Sequence, residues 1–287
     1  MSSNIIYYAI PFFSLSILIE SLYSQHNNLD YYAKKDTFAS LSMGIGNVLV
    51  RFTLSTITLT FFYFLYQYKM YDLGNDWRAW LILIFAEDFT YYWFHRFSHK
   101  SRFLWASHVI HHSSKKYNLS TALRQTWTGH LSGKFIFWSW LAIIGFHPLM
   151  ILTMKSINLV YQFWIHTEVI KKMPRWFEAI FNTPSHHRVH HGTNLIYIDQ
   201  NYAGIFIIWD KLFHTFQPEV HRPTYGIMHN INSSNPFYIA THEWLSIIKD
   251  IKWVYTIKVN LAYIFKAPGW SHDNSRKTIK ILRERKK

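Results

Sequence analysis

Residues 79–99 read AWLILIFAEDFTYYWFHRFSH, an apolar stretch from Ala79 to Phe94 that runs directly into two histidines four residues apart. A stretch of about twenty apolar residues can cross the hydrocarbon core of a membrane, which is about 30 Å thick. Residues i and i+4 lie on one face of an α-helix, so the rings of His95 and His99 point the same way. The segment predicts a membrane-spanning helix with two potential metal ligands at its end.

Three more apolar stretches accompany this one, at Ile5–Glu20, Leu41–Tyr66 and Lys134–Ile165. The last is interrupted at 145–148 by Gly-Phe-His-Pro, which is typical of a turn, so we expect a hairpin that enters the membrane and returns. No basic region precedes the first stretch, so we expect a retained span rather than a signal peptide. The pattern predicts an all-α, polytopic integral membrane protein with about four transmembrane helices. The alternative is a soluble helical protein with a large buried core.

The composition is basic and lacks cysteine. The 287 residues include 30 Lys and Arg against 16 Asp and Glu, a formal net charge of +14. The absence of cysteine excludes disulfides, thiolate zinc sites and iron–sulfur clusters. A basic balance is typical of proteins that bind nucleic acid or an anionic membrane surface. Because Lys and Arg cluster after apolar stretches, at 96–124 and 171–175, the positive-inside rule places those loops in the cytoplasm. We therefore expect a membrane partner and no nucleic acid.

The chain divides into three predicted parts. Residues 1–78 are expected to form an N-terminal transmembrane region, and residues 79–220 a catalytic domain that contains the grouped histidines. Residues 221–287 are expected to form an interfacial helix and a basic C-terminal tail. Within this last part, residues 244–265 alternate apolar residues with lysine, which suits a helix lying on the membrane. We expect the histidines to lie in a cytosolic helical cap.

The eighteen histidines are unevenly distributed, since ten of them fall into four short groups. The groups are His95 and His99; His108, His111 and His112; His166; and His186, His187, His190 and His191. Two adjacent rings on a helix diverge by about 100°, which is enough to reach two neighbouring metal ions. Neutral imidazole suits iron, zinc, copper and nickel. The number of histidines exceeds the demand of one ion, so the pattern predicts a di-metal site. A histidine-lined polar surface or a proton relay is the alternative.

Longer strings around these histidines resemble the fatty-acid hydroxylase and sterol desaturase superfamily of membrane di-iron enzymes. The strings lie at 91–96, 111–114, 117–125, 161–169, 182–192, 201–204, 207–211 and 267–270. The close spacing of the first two histidine groups is similar to this superfamily rather than to the acyl-CoA desaturases. Within the superfamily, the strings are most similar to members that oxidise alkylglycerol ether lipids. Lys100 is a departure, since those members usually have an acidic residue directly after the second histidine.

The resemblance implies an O2-dependent lipid monooxygenase that holds two iron ions. The expected reaction hydroxylates the O-alkyl carbon of an alkylglycerol, and the product collapses to a fatty aldehyde and a glycerol derivative. Tetrahydrobiopterin or another external electron donor would be needed, since the sequence contains no nucleotide or flavin motif. The alternatives are a hydroxylase or desaturase of a sterol, fatty acyl chain or carotenoid, and a non-catalytic membrane metal-binding protein. The active site is expected to face the cytoplasm, at a bacterial inner membrane or the endoplasmic reticulum.

The resemblance also nominates site residues. The expected metal ligands are His95, His99, His108, His111, His112, His166, His187, His190 and His191. Asp88 and His186 are assigned to the catalytic site. His186 is expected either to bind metal or to support a ligand. Asp88 lies on the same helical face as His95, so it is expected to orient a ligand histidine through the outer ring nitrogen. The alternative for Asp88 is a structural pair with Arg51 or Arg96. Other residues are expected either to hold a histidine or to form turns and caps: Asn118, Gln125, Asp199 and Asn201.

Overall fold

The computed structural model describes residues 5–284, in which the regular structure is helical apart from one isolated antiparallel bridge between Phe181 and Phe206. The α-helices of these residues are α1 (Ile5–His26), α2 (Lys34–Tyr66), α3 (Trp77–Lys100), α4 (Arg102–His112), α5 (Ser139–Ile144), α6 (Pro148–Trp164), α7 (Arg175–Ile180), α8 (Pro184–His190), α9 (Ile208–Leu212), α10 (Pro236–Asp250), α11 (Ile257–Phe265) and α12 (Ile279–Glu284). Two 3-10 helices lie between α4 and α5, at Leu119–Leu123 and Lys134–Trp138. The all-α prediction is confirmed for these residues. Residues 1–4 and the end of the predicted basic tail, 285–287, lie outside the described residues.

Two helices, α1 and α2, are long and apolar enough to cross a membrane, judged by length and composition. Their most apolar windows are only 17% and 11% buried, so most of these side chains lie on the outside of the molecule. A core helix of a soluble protein would bury such side chains, whereas a long exposed apolar surface suits contact with lipid. The structure thus supports the membrane prediction for two of the expected spans.

Helix α3 corresponds to the third predicted span and carries its acidic residues on the inside. Glu87 is buried, and its carboxylate accepts hydrogen bonds from Nε1 of Trp138 at 3.0 Å and from Nδ2 of Asn158 at 2.7 Å. Leu81 and Ile82 are exposed on the same helix. A buried carboxylate is costly unless it is hydrogen-bonded, so these contacts explain how an acidic residue fits in an otherwise apolar helix.

The predicted hairpin at Lys134–Ile165 is present, but its two limbs are unequal. The chain turns at Gly145, whose φ of +129° is accessible to glycine, and α6 begins at Pro148. The first limb, Lys134–Ile144, consists of a 3-10 helix followed by the six residues of α5. This limb is shorter than the about twenty residues that a full span needs. The total of four spans therefore remains a prediction, since among the described residues only α1 and α2 meet the criteria of length and composition.

The segments that carry the grouped histidines meet where α3 and α6 end. His95 and His99 lie in the last turns of α3, and the extended backbone of Ser101, with φ −115° and ψ 124°, separates α3 from α4. Helix α6 ends shortly before His166. A core drawn from α2, α3, α5 and α6 supports this arrangement, and it includes the buried residues Phe62, Leu83, Leu141, Phe146 and Ile151.

Candidate metal centre

Two adjacent groups of histidines bring together all nine predicted ligands. The first histidine group consists of His95, His99, His108, His112 and His190. The second histidine group consists of His111, His166, His187 and His191. Within each group, the candidate ligand nitrogens all lie within 4.8 Å of one another. The groups adjoin, since the rings of His112 and His191 stack with their centroids 4.4 Å apart.

Neighbouring histidines in the sequence are divided between the two groups. His112 belongs to the first group and His111 to the second, and His190 and His191 are divided in the same way. Residues four apart remain together, as His108 and His112 do on α4. This is the arrangement predicted from helical geometry, because adjacent side chains diverge around the helix while i and i+4 share a face. Helix α4 and the end of α8 therefore contribute to both groups.

Backbone carbonyls hold the outer nitrogens of several histidine rings. Nδ1 of His95 donates to the carbonyl of Tyr202 at 2.8 Å, and Nδ1 of His190 donates to that of Gln200 at 3.0 Å. In the second group, Nδ1 of His166 donates to the carbonyl of Gln162 at 2.7 Å, within the same polypeptide segment. A proton on Nδ1 leaves Nε2 unprotonated, with a lone pair that faces inward. Histidines that bind metal ions usually have this arrangement.

The inward nitrogens fit a metal ion. Nε2 of His112 and Nε2 of His190 are 3.1 Å apart, and Nε2 of His166 is 3.0 Å from Nε2 of His187. Nε2 of His99 is buried and has no hydrogen-bond partner among the described residues. Buried polar atoms are normally satisfied, and closely facing lone pairs repel. A cation between these nitrogens would satisfy them, and an all-imidazole donor set suits a first-row transition metal.

Burial keeps these rings in the neutral form that binds metal. It lowers the pKa of His108, His112 and His190 well below the usual range, and neighbouring histidines add to the effect. Burial also lowers the pKa of His166 to about 3, although its hydrogen bond to a backbone carbonyl acts in the opposite direction. Since metal ions compete with protons for imidazole nitrogen, the low pKa values favour metal binding at neutral pH.

Asp199 contacts one of the predicted ligands. Its Oδ1 lies 3.5 Å from Nδ1 of His99, and its Oδ2 accepts a hydrogen bond from Nζ of Lys100 at 2.6 Å. Burial raises the pKa of Asp199, but its contacts with His99 and Lys100 outweigh burial and lower the pKa to about 2. Asp199 is therefore an ionised carboxylate behind His99, which is one of the two roles expected for it. Lys100, the departure from the superfamily pattern, is its counter-ion.

Of the other residues with two expected roles, Asn118 and Gln125 make local cap and turn contacts, and Asn201 links separate chain segments. The side-chain oxygen of Asn118 accepts a hydrogen bond from the backbone N–H of Ser120 at 3.0 Å, which caps the first 3-10 helix. Gln125 donates to the carbonyl of Ala122 at 2.9 Å. Asn201 donates to the carbonyl of His186 at 3.0 Å. None of these three side chains has a hydrogen bond to a histidine ring among the described residues.

The structure does not bring Asp88 to a histidine. Its carboxylate accepts hydrogen bonds from the backbone N–H of Ile205 and Phe206, at 2.7 and 2.9 Å. Nε1 of Trp209 and Nδ2 of Asn158 also donate to it, each at 3.0 Å. The expectation that Asp88 orients a ligand histidine directly is wrong, and so is the alternative of a pair with an arginine. Asp88 lies two turns before the ligands on α3, at the level of the segment that follows Tyr202, and it holds that segment in place.

His186 lies outside both histidine groups. Its ring packs against Phe216, with the centroids 5.4 Å apart, and its Nδ1 has no hydrogen-bond partner among the described residues. The adjacent His187 belongs to the second group. Within the described residues, no contact between the His186 ring and a predicted ligand supports the assignment of His186 to the catalytic site.

Asp210 is a site residue that sequence reasoning missed. Its carboxylate accepts hydrogen bonds from the backbone N–H groups of Tyr202 and Ala203, both at 2.8 Å, and from Oγ1 of Thr215 at 2.7 Å. It therefore fixes the peptide segment whose Tyr202 carbonyl accepts from His95. The signal was present in the sequence, since Asp210 lies in the superfamily-like string at 207–211.

A cavity of about 900 Å³ adjoins the first histidine group. Its lining includes His99, His112 and His190 on one side and residues 267–269 and 275–280 on the other. From the second group, His191 alone among the described residues reaches the lining. The first group is therefore the more accessible of the two.

The C-terminal segment that lines this cavity is held by two arginines. The guanidinium of Arg276 makes two hydrogen bonds to the carboxylate of Asp250, at 2.5 and 2.7 Å. Nε of Arg283 donates to the carbonyl of Leu195 at 3.0 Å. The described part of the basic tail is thus a wall of the cavity.

Comparison with known proteins shows which protein family the histidine-containing region matches. Residues 80–215 match the family model of the fatty acid hydroxylases, and this region includes all nine grouped histidines. These residues, a little under half of the chain, are a fatty acid hydroxylase domain. The superfamily resemblance predicted from the histidine strings is therefore confirmed.

Among curated proteins, the chain is similar to alkylglycerol monooxygenases. It is 40% identical to the protein of Homo sapiens over 271 residues, which cover 91% of this chain and 59% of the relative. It is 40% identical to that of Danio rerio, over 92% of this chain and 59% of the relative. It is 37% identical to that of Xenopus tropicalis, over 91% of this chain and 58% of the relative. The chain thus spans about 59% of the length of these curated relatives. No solved structure matches it.

Proposed function

We propose that this chain is an O2-dependent lipid monooxygenase whose nine grouped histidines hold two iron ions. The observation that carries the proposal is the pair of adjacent, buried histidine groups within a fatty acid hydroxylase domain. We propose an alkylglycerol ether lipid as substrate, because the similar curated proteins are named alkylglycerol monooxygenases. The donor set supports iron, since imidazole suits this metal and the groups offer five and four ligands.

Bound iron would supply the redox chemistry that activates O2. The protein's own contribution is geometric and electrostatic. Carbonyls of Tyr202, Gln200 and Gln162 fix the orientation of three rings, and Asp199 stands behind a fourth. Burial of seven of the nine rings limits the access of bulk water to the reacting centre. The cavity beside the first group would admit the substrate, so the oxidised carbon would lie next to His99, His112 and His190.

The proposed reaction balances with an external reductant. One oxygen atom of O2 enters the C–H bond beside the ether oxygen, and the other leaves as water after it takes up two electrons and two protons. The resulting hemiacetal collapses to a fatty aldehyde and a glycerol derivative. Tetrahydrobiopterin is the proposed electron donor by resemblance to the alkylglycerol monooxygenases, and another external donor would satisfy the same balance.

We further propose that the active site faces the cytoplasm in a helical cap, at a bacterial inner membrane or the endoplasmic reticulum. Helices α1 and α2 would anchor the chain. Exposed basic residues close to the histidines support this orientation, since the positive-inside rule favours the cytoplasmic side for such loops. They include Lys115, Lys171, Lys172 and Arg175.

Purified protein in lipid nanodiscs, supplied with ferrous iron, O2, a reduced pterin and an alkylglycerol, tests the proposal. We expect fatty aldehyde and about two iron ions per chain, with little aldehyde from His108→Ala, which removes one ring of the first group. A hydroxylated or desaturated sterol, fatty acyl chain or carotenoid in place of aldehyde would move the substrate to another lipid. Iron binding without turnover, under several donors and lipids, would favour a non-catalytic metal-binding protein.

A further inference from the structure

Helices α10 and α11 present an exposed apolar surface that no described residue covers. The two helices and their connection, residues 236–265, are called the α10–α11 hairpin here. At its tip, Trp253 is fully exposed, and Val254 and Ile257 are 86% and 79% exposed. Ile248 and Leu261 extend the same apolar surface along the two helices. A contiguous group of large exposed apolar side chains is unusual for a surface that faces only water, so it indicates a binding partner.

The charges around this surface are positive. Lys249, Lys252 and Lys258 lie beside the apolar residues in the sequence. The hairpin contains two acidic residues, Glu243 and Asp250, and both point to the interior, where they pair with Arg102 at 2.6 and 2.7 Å. The outward charge of the hairpin is therefore cationic. Exposed lysines that flank tryptophan and aliphatic side chains in the sequence are typical of a segment that enters an anionic lipid surface.

The hairpin is continuous with the apolar surface of α2. Ile239 and Ala240 of α10 pack against Ala39 and Met43, in the first part of α2. The N-terminal end of a helix that can span a membrane is where the chain passes through the headgroup region. Phe237 at the start of α10 is 71% exposed, and exposed apolar residues also occur along α2, including Phe38, Ile45 and Leu49. The hairpin thus lies at the depth expected for a membrane interface, and tryptophan is enriched at that depth.

Arg102 links the hairpin to α4, which carries three of the grouped histidines. Its guanidinium donates to Ser246 at 2.9 Å and to the backbone carbonyl of Tyr263 at 3.4 Å, in addition to its two ion pairs. Arg102 begins α4, the helix that carries His108, His111 and His112. Any depth that the hairpin adopts in a bilayer therefore also positions these ligands.

We propose that the tip of the α10–α11 hairpin, residues 248–258, inserts into the headgroup region of a bilayer that contains anionic lipid. The cavity beside the first histidine group is lined by Glu243 and Ser246 of α10 and by Pro268 and Gly269 beyond α11. Insertion therefore places this cavity beside the lipid surface. The further consequence, that a lipid substrate enters the cavity from the bilayer, rests on the proposed function.

The chain contains no cysteine, so single-cysteine variants can be labelled without removing other thiols. We would place a nitroxide at Trp253→Cys and Val254→Cys in nanodiscs of phosphatidylcholine and phosphatidylglycerol. Both positions are exposed, so substitution removes little packing. We expect frequent collisions of the label with O2 and few with a water-soluble nickel chelate. Lys172→Cys, at an exposed loop position on the histidine side, is the matched control and should give the reverse pattern.

Two results would overturn the insertion. A label at 253 that is as accessible to the nickel chelate as the label at 172 would place the tip in water. A label shielded from both O2 and the chelate would indicate a protein contact, such as a second copy of this chain. The collision measurement needs neither iron nor turnover, so its failure is distinguishable from a failure of the proposed lipid oxidation.

A second experiment tests the contribution of the lysines to membrane insertion. The double variant Lys252→Gln/Lys258→Gln should reduce the depth of the label at 254 in nanodiscs with phosphatidylglycerol and leave it unchanged in phosphatidylcholine alone. Salt-dependent attraction to anionic headgroups predicts this difference. Equal depths for the variant and the parent in both lipid compositions would overturn the role assigned to anionic lipid.

Discussion

Oδ1 of Asp199 lies 3.5 Å from Nδ1 of His99, and no other carboxylate within residues 5–284 is this close to a ring of either histidine group. The outer nitrogens of His95, His166 and His190 are held by neutral backbone carbonyls instead. A carboxylate behind a histidine raises the basicity of the ligand more than a carbonyl does. The first group thus contains one histidine in a different electrostatic setting from the others, so metal ions held by the two groups would be chemically unequal.

Asp199→Asn should weaken iron binding at the first group without unfolding the chain. Loss of a residue that supports a metal ligand typically costs about 10–100-fold in metal affinity. We expect the amide to keep a polar contact with His99 while the negative charge is lost. Iron titration of the metal-free protein and Mössbauer spectra of the loaded protein would detect the change at one iron. Asp72→Asn, at an exposed aspartate that pairs with Lys69, is the control. Identical spectra for Asp199→Asn and wild type would contradict the prediction.

The adjacent residues His186 and His187 should differ in their effect on iron content. His187→Ala removes a ring from the second group, so we expect about one iron per chain instead of about two. His186→Ala removes a ring that lies outside both groups and packs against Phe216, so we expect iron content close to wild type. Iron analysis of the two purified variants and of the wild type measures this difference in iron content. Loss of iron in both variants would show that His186 supports the centre.

The grouping of the histidines could be predicted from the sequence in part, because its signal is local. An interval of four residues places two rings on one helical face, and adjacent histidines must diverge, whatever the rest of the chain does. The division of His111 from His112 follows from this geometry and is what the structure contains. Helix geometry alone thus determined which rings belong together within each segment.

The supporting residues could not be predicted in the same way, because their partners are distant in sequence. Periodicity correctly placed Asp88 on an inward face of α3, but it does not specify which segment lies opposite that face. The partner is the backbone at 205–206, more than a hundred positions along the chain. The length of α5 was missed for a different reason. Apolar composition from Lys134 to Ile144 is compatible with a span, whereas the 3-10 segment that shortens the helix has no compositional signal.

Asp88→Ala should destabilise the fold rather than abolish a chemical step. The variant leaves the N–H groups of Ile205 and Phe206 without their acceptor, and each unsatisfied buried donor costs about 1–3 kcal/mol. Gly204→Ala should act on the same contact, since a Cβ there would lie 2.6 Å from Oδ1 of Asp88. Thermal unfolding of the metal-free proteins should give lower midpoints for both variants than for wild type and for Asp72→Ala. An unchanged midpoint for Asp88→Ala would contradict the structural role.

The metal-free protein should lose stability as the pH falls below the usual histidine range. Burial lowers the pKa of His166 to about 3 and moves the pKa values of His108, His112 and His190 in the same direction. In the unfolded chain these rings take up protons near pH 6.5, whereas in the folded chain they stay neutral. The unfolded state therefore binds more protons between about pH 6.5 and pH 3, so this part of the stability is complete above that window and declines within it. Chemical denaturation at a series of pH values measures the effect, with the slope expected to be steeper than for a single group. A free energy of unfolding that stays constant from about pH 7 to pH 5 would mean that water or another proton acceptor reaches these rings.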